Sequence, residues 1–325
     1  MNEFELIHRL TKSLATNDTV VAGAGDDCAV LDLGVPGKLI LFKTDAVVEG
    51  IHFTRETPAE KIGRKALARC LSDIAAMAGT PTAALVTLGL PKNFDEKQVA
   101  GIYAGLNALA RQFNVAVAGG ETTTNPERMF ISLALLGTVD QGRQVLRAGA
   151  RAGDAILVTG ELGGSIAGKH LDFEPRLAEA RWLAEHFKIH AMLDLSDGLA
   201  GDLRHLLEAG QVGAEILKSA LPISRAAKLR ARTDGPPEGR EPHQERKPAV
   251  LAALTDGEDF ELLFTVASRD AVKLLDAWKK TFPELKLTCI GKIVAGDGIL
   301  LRDLAGTQKL GARGYEHFSG REEGR

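Results

Sequence analysis

Short apolar runs alternate along this chain with longer stretches whose apolar residues return every three or four positions. That alternation limits the fold more than any other feature. Leu39–Phe42, Ala83–Leu90, Val115–Ala118, Phe130–Val139, Ala155–Thr159, Met192–Ser196 and Phe260–Val266 read as strands. Phe4, Leu6, Ile7, Leu10 and Leu14 fall at helical spacing. Thr57-Pro58 reads as an N-cap followed by proline in the first turn, opening a helix with Ile62, Ala66, Leu67, Cys70, Leu71, Ile74 and Met77 on one face. Further helices are expected over Asp95–Phe113, from Leu199 through Leu207, and near 269–281, with two more strands closing the chain. Strands alternating with helices without a strict repeat predict a layered α/β (α+β) architecture. A length of 325 residues favours two domains. The boundary is expected near 140–152, giving domains 1–147 and 148–325. Residues 233–248 contain four prolines and many charges and read as a loop or linker.

Charge is nearly balanced: 40 Lys and Arg against 43 Asp and Glu, a net of −3. No general nucleic-acid footprint follows from that balance, whereas an acidic local site is compatible with it. The opening MNEFELIHRL is too charged for a signal peptide, and no apolar stretch is long enough to span a membrane. Cys28, Cys70 and Cys289 have no metal spacing and fit a reducing compartment, so a cytoplasmic location is expected. The eight histidines show no HxH or HExxH spacing, and no GxSxG elbow occurs.

Carboxylates gather where strands end and turns begin: Asp26-Asp27, Asp45, Asp73, Glu121, Asp194 and Asp197. Most have a glycine or a small hydroxyl residue beside them: Gly25, Thr44, Ser72, Gly120, Ser196, Gly198. Oxygen ligands of this kind suit a hard cation, chiefly Mg²⁺. An acidic pocket accepts a nucleotide only through bridging metal, which makes phosphoryl transfer the natural reaction class, with metal-assisted hydrolysis using similar parts. Arg147, at the expected domain junction, is placed to clamp a phosphate. His52 follows the Asp45 segment and reads otherwise as a loop histidine. Residues 163–169 match GxxxxGK, but His170 stands where a P-loop has Ser or Thr, so a tight strand-to-helix turn is the better reading.

The motifs GAGDDCAVL (23–31), KTDAVVEGIHF (43–53), LSDIAAMAGTP (71–81), GGETT (119–123), LDLSDGL (193–199), TDGEDFELLF (255–264) and GYEHF (314–318) occur in an order that resembles the thiamine-monophosphate kinase family. That family lies within the aminoimidazole-ribonucleotide-synthetase-like ATP-binding superfamily. The resemblance implies two α/β domains, the first binding ATP and Mg²⁺ and forming a β-barrel with its copy in a homodimer, the second completing the active-site cleft. It implies phosphorylation of thiamine monophosphate by ATP, with several Mg²⁺ ions and no catalytic residue distinct from the metal ligands. Carried over by motif, Asp27, Thr44, Asp45, Asp73, Glu121, Asp194 and Asp197 correspond to metal ligands. Tyr103, Gly120, Glu121, Arg147 and Ser196 correspond to the nucleotide site, and His52, Glu258 and Tyr315 to the thiamine-phosphate site. An aromatic ring and a carboxylate suit a cationic thiazolium. No nucleic-acid or membrane partner is implied. Three departures stand out: Glu121 where the family has Asp, Lys43 where it has a small hydroxyl residue, and Thr255-Asp256-Gly257 before Glu258. The alternative is a non-catalytic or divergent member that binds nucleotide or thiamine phosphate.

Overall fold

The computed structural model describes residues 3–232, 247–311 and 314–315. After helix α1 (Glu3–Thr11) come β1 (Val20–Ala22), β2 (Ala29–Leu31), β3 (Lys38–Val48), α2 (Ala59–Ala76), β4 (Thr80–Leu90), α3 (Glu96–Gln112), β5 (Ala116–Thr124) and β6 (Phe130–Asp140). These strands form one sheet in the order β1-β2-β3-β6-β4-β5. Only β4 and β5 run parallel, and α3 is the crossover that a parallel pair requires.

The second sheet contains β7 (Asp154–Thr159), β8 (Ile189–Asp194), β9 (Gly213–Leu217), β10 (Leu262–Ala267), β11 (Leu287–Val294), β12 (Ile299–Asp303) and β13 (Gly306–Lys309), ordered β13-β12-β9-β11-β7-β10-β8. Its helices are α4 (Lys169–Asp172), α5 (Leu177–His186), α6 (Leu199–Gly210), α7 (Arg225–Arg232), α8 (Ala249–Thr255) and α9 (Ser268–Thr281). Three strands rather than two close the chain. Along β10, Phe264 enters one apolar core and Leu263 another, so both faces of this sheet are covered and the strand reads as an unbroken apolar run.

Helix α2 holds the two halves together. It packs on α3, β3 and β6 from one side and on α4, α5 and β8 from the other. One apolar face was expected, but Lys65, Ser72 and Asp73 are buried as well. The approach of α2 to α3 depends on paired glycines. A Cβ on Gly63 would lie 1.8 Å from the Ile102 carbonyl oxygen, and one on Gly105 would lie 1.8 Å from that of Glu60. Pro58, not Thr57, holds the N-cap position; the Thr57 hydroxyl instead accepts a hydrogen bond from the Thr54 amide.

GGETT does not form a loop after a short strand; it is the body of β5. Gly120 permits this, because a Cβ there would meet the Val86 carbonyl oxygen at 1.7 Å. Ser196 lies beyond the end of β8, which stops at Asp194. Most of the 233–248 segment lies outside the described residues. No described helix is long and apolar enough to cross a membrane.

Candidate functional site

The site gathers where β2, β3, α2 and the end of β8 converge. Alternation along β3 points Leu41, Lys43, Asp45 and Val47 inward and leaves Phe42 and Thr44 exposed on the opposite face. The last turns of α2 carry Ser72 and Asp73, and β8 delivers Asp194. The turn before β2 delivers Asp26 and Asp27.

Asp27, Asp73 and Asp194 are all buried and each offers a carboxylate oxygen within 4.8 Å of the others. Asp73 Oδ1 accepts from the Lys43 ammonium at 2.7 Å, and Asp194 Oδ2 from the Ser72 hydroxyl at 2.5 Å. Asp27 Oδ1 accepts from Arg147 at 2.6 Å, while Asp27 Oδ2 is buried with no hydrogen-bond partner among the described residues. Burial first, and the neighbouring Asp27 second, push Asp194 up to about 6. Burial also raises Asp73 well above the carboxylate range, against the pull of Lys43. Asp26, raised to about 6 by burial and by Asp27, accepts from the Arg147 amide at 3.1 Å. Three crowded carboxylates with an orphaned oxygen are the donor set a hard divalent cation takes.

The remaining expected ligands are placed differently. Asp45 is held by Arg69 in a two-pronged ion pair at 2.8 and 3.2 Å. Burial pushes its carboxyl up, but Arg69 and Lys43 outweigh that and hold it low. Thr44 faces away from the cluster. Glu121 is exposed on β5 and folds back to accept from the Thr122 amide at 2.8 Å. The Asp197 amide donates to Asp202 at 3.0 Å, and its carbonyl accepts from the Tyr315 amide at 2.9 Å.

Beside the cluster lies a cavity of about 320 Å³, lined among others by His52, Arg69, Ser196, Asp197, Glu258 and Tyr315. It therefore unites all three residues expected at the thiamine-phosphate site with Ser196 and Asp197. Burial, then Arg69, pushes His52 down to about 4. The ring is neutral at pH 7, and its Nδ1 accepts from the Val48 amide at 3.1 Å, so the ring proton sits on Nε2. Glu258 adopts a left-handed backbone (φ 63°) and meets Lys65 at 2.7 Å, His170 at 3.0 Å and Arg69 at 3.6 Å. Burial opposes its charge, but the neighbouring His170 and the two cations hold it at about 2. Its charge is thus already matched within the protein. Arg69 also lies over the Phe260 ring at 6.0 Å. Tyr103 lies on α3, half-buried against the core.

Lys65 was not singled out from the sequence. Its buried ammonium bonds the His52 carbonyl oxygen at 2.7 Å, His170 Nδ1 at 2.8 Å and Glu258. Burial pulls it down to about 8. The signal was present: Lys65, Arg69 and Asp73 recur every four residues among the apolar positions of the helix, which makes one polar stripe along α2.

The GxxxxGK segment is not a phosphate loop. The Gly163 amide donates to both oxygens of Asp259 at 3.0 Å, and the Gly164 amide donates to Asp256 at 2.8 Å. The Lys169 ammonium binds Glu261 at 2.8 Å. The chain's own TDGEDFE carboxylates fill the places a phosphate would need.

Comparison with known proteins agrees with this geometry. Residues 25–139 match the family described as AIR synthase related protein, N-terminal domain, and residues 151–303 match the corresponding C-terminal domain. A thiamine-monophosphate kinase of Rhodopirellula baltica is 40% identical over 87% of this chain and 86% of its own length. That of Bacillus subtilis is 33% identical over 98% of this chain and 100% of its own. A solved structure described as AaThiL complexed with AMPPCP and TMP superposes with a TM-score of 0.80 at 30% identity, covering 98% of this chain and 97% of that one. Likeness on this scale spans both sheets and every segment of the site, and the chain belongs to the AIR synthase related proteins and, among them, to the thiamine-monophosphate kinase family.

Proposed function

We propose that this chain transfers the terminal phosphoryl group of ATP to thiamine monophosphate, giving thiamine diphosphate and ADP. One observation carries the reading: a buried three-carboxylate cluster with an orphaned oxygen stands next to a cavity that collects His52, Glu258 and Tyr315. The relatives' names and the bound AMPPCP and TMP of the solved relative support it. An oxygen of the acceptor phosphate attacks the terminal phosphorus of ATP as the bond to ADP breaks. That oxygen is already anionic, so no covalent enzyme intermediate and no strong base are required. Catalysis is positioning and charge neutralisation.

Asp27, Asp73 and Asp194 would hold Mg²⁺, with Asp45 and Asp197 at the margin. Bound Mg²⁺ supplies positive charge against the transferring group. Neutral His52 offers a hydrogen bond rather than an ion pair to the acceptor phosphate. Arg147 serves the nucleotide once it turns from Asp27, and Ser196, on the wall of the cavity, is assigned to the nucleotide through the resemblance. Tyr103, Gly120, Glu121 and Thr44 are assigned to nucleotide or metal through the resemblance alone.

A division at 147/148 is supported by the gap between the sheets, the first ending at Asp140 and the second starting at Asp154. The outer face of the first sheet exposes Phe42, Leu85 and Leu136 at 40–50%, with Phe42 opposite Leu136 across β3 and β6. Among the described residues β5 pairs only with β4. A second copy would cover that apolar face and edge, closing two sheets into a dimeric barrel. Three free cysteines suit a cytoplasmic enzyme.

Lys43 on Asp73 and the folded-back Glu121 favour one second reading, a nucleotide-binding protein without turnover. Incubation with Mg-ATP and thiamine monophosphate decides. Mass spectrometry should show the acceptor heavier by one phosphoryl group. Nucleotide affinity with no product above an enzyme-free control overturns the kinase reading.

A further inference from the structure

We propose that Lys43 is a resident cation of the acid cluster, its ammonium occupying a position that a divalent ion would otherwise take, so that the chain binds one metal ion fewer than its carboxylates would hold. The proposal rests on the metal-dependent reading above and deepens it.

The cluster is asymmetric. On one side the Lys43 Nζ sits 2.7 Å from Asp73 Oδ1, the two side chains 24% and 10% exposed. Alternation along β3 puts Lys43 on the same inward face as Asp45, between the Arg69-bound carboxylate and Asp73. On the other side Asp27 Oδ2 is buried with no partner among the described residues. One cation position is therefore filled by the protein, and Asp27 Oδ2 offers a ligand atom for another. Asp27, Asp45, Asp73 and Asp194 face the cations Lys43, Arg69 and Arg147. Removing Lys43 leaves the buried Asp73 without its cation, so negative charge there must be neutralised by protonation or by another cation. A lysine ammonium is a compact point charge with no acceptor, so it can replace a metal's charge but not bridge a phosphate as a metal does.

The test counts Mn²⁺ bound to the full chain by electron paramagnetic resonance, with AMPPCP at saturation. Lys43→Ala should bind one Mn²⁺ more per chain than the parent. Lys43→Arg, which keeps the charge, should bind the parental number. If the alanine variant does not fold, Lys43→Ser carries the same expectation, since it too removes the ammonium from Asp73. Melting supplies an independent readout: without metal the neutral variants should melt below the parent, and Mg²⁺ should raise them more than it raises the parent. Equal non-zero counts in parent and neutral variant overturn the proposal alone. No stoichiometric Mn²⁺ in either protein overturns it together with the metal-dependent reading.

Discussion

The acid cluster and the adjoining cavity are built from the same helix but balance their charge in opposite ways. At the cavity Glu258 meets Lys65, His170 and Arg69, and its carboxyl is held at about 2. At the cluster Asp73 and Asp194 are pushed up by burial and Asp27 keeps an unpartnered oxygen. The cavity is electrostatically finished and preorganised, whereas the cluster is completed only by something from outside. Arg69 and Asp73, one helical turn apart on α2, mark the border between the two.

The largest effect that would sharpen this contrast lies at the cluster. Asp194→Asn and Asp27→Asn should each reduce turnover by about two orders of magnitude or more, the scale seen when one preorganised charge contact is removed from a transition state. Metal-free melting of Asp194→Asn should hold or rise, because its ionised form is disfavoured in the folded protein. A variant that unfolds, or turns over normally, breaks the assignment.

At the cavity the balance reverses. Glu258→Gln strips a matched carboxylate from buried Lys65 and Arg69 and should cost about 3 kcal/mol of stability by denaturant titration, the range for a buried pair that loses one partner. Asp45→Asn should behave alike through Arg69, so Asp45 contributes to folding as well as to the metal site. An unchanged unfolding midpoint for both would show that these pairs contribute nothing net.

A smaller effect concerns binding. His52→Ala should raise the Michaelis constant for thiamine monophosphate about tenfold, as one lost hydrogen bond to a charged group does, and leave that for ATP nearly unchanged. Equal shifts in both place His52 outside the acceptor site. The smallest effect is a pH slope. Because His52 is held at about 4 in the folded chain, against its ordinary 6.5, the unfolded chain takes up the proton first as pH falls. Stability from this group should therefore decline between pH 6.5 and 4, and His52→Gln should flatten that part of the parent's curve.

Much of this was visible in the sequence, and the gaps have physical causes. Strands such as Phe130–Val139 and the helix from Asp95 followed from periodicity, because burial imposes it directly. The strand character of GGETT was hidden, since its glycines answer to the Val86 backbone of a neighbouring strand rather than to local propensity. Carboxylates at strand ends pointed to a cation site, but their convergence is tertiary: Asp27, Asp73 and Asp194 come together, while Thr44 and Glu121 face other surroundings. Lys65 escaped notice because a charged residue on a helix is usually solvated, and only the four-residue recurrence with Arg69 and Asp73 marks it as part of a buried stripe.

The central claim is that nucleotide and metal belong to the cluster and the acceptor to the cavity. Calorimetric titration of the parent, Asp27→Asn and His52→Ala with Mg-AMPPCP and, separately, with thiamine monophosphate tests it most directly. Asp27→Asn should lose affinity for Mg-AMPPCP and keep it for thiamine monophosphate, and His52→Ala should do the reverse. Either variant losing both ligands to the same extent, with its fold intact, contradicts the account.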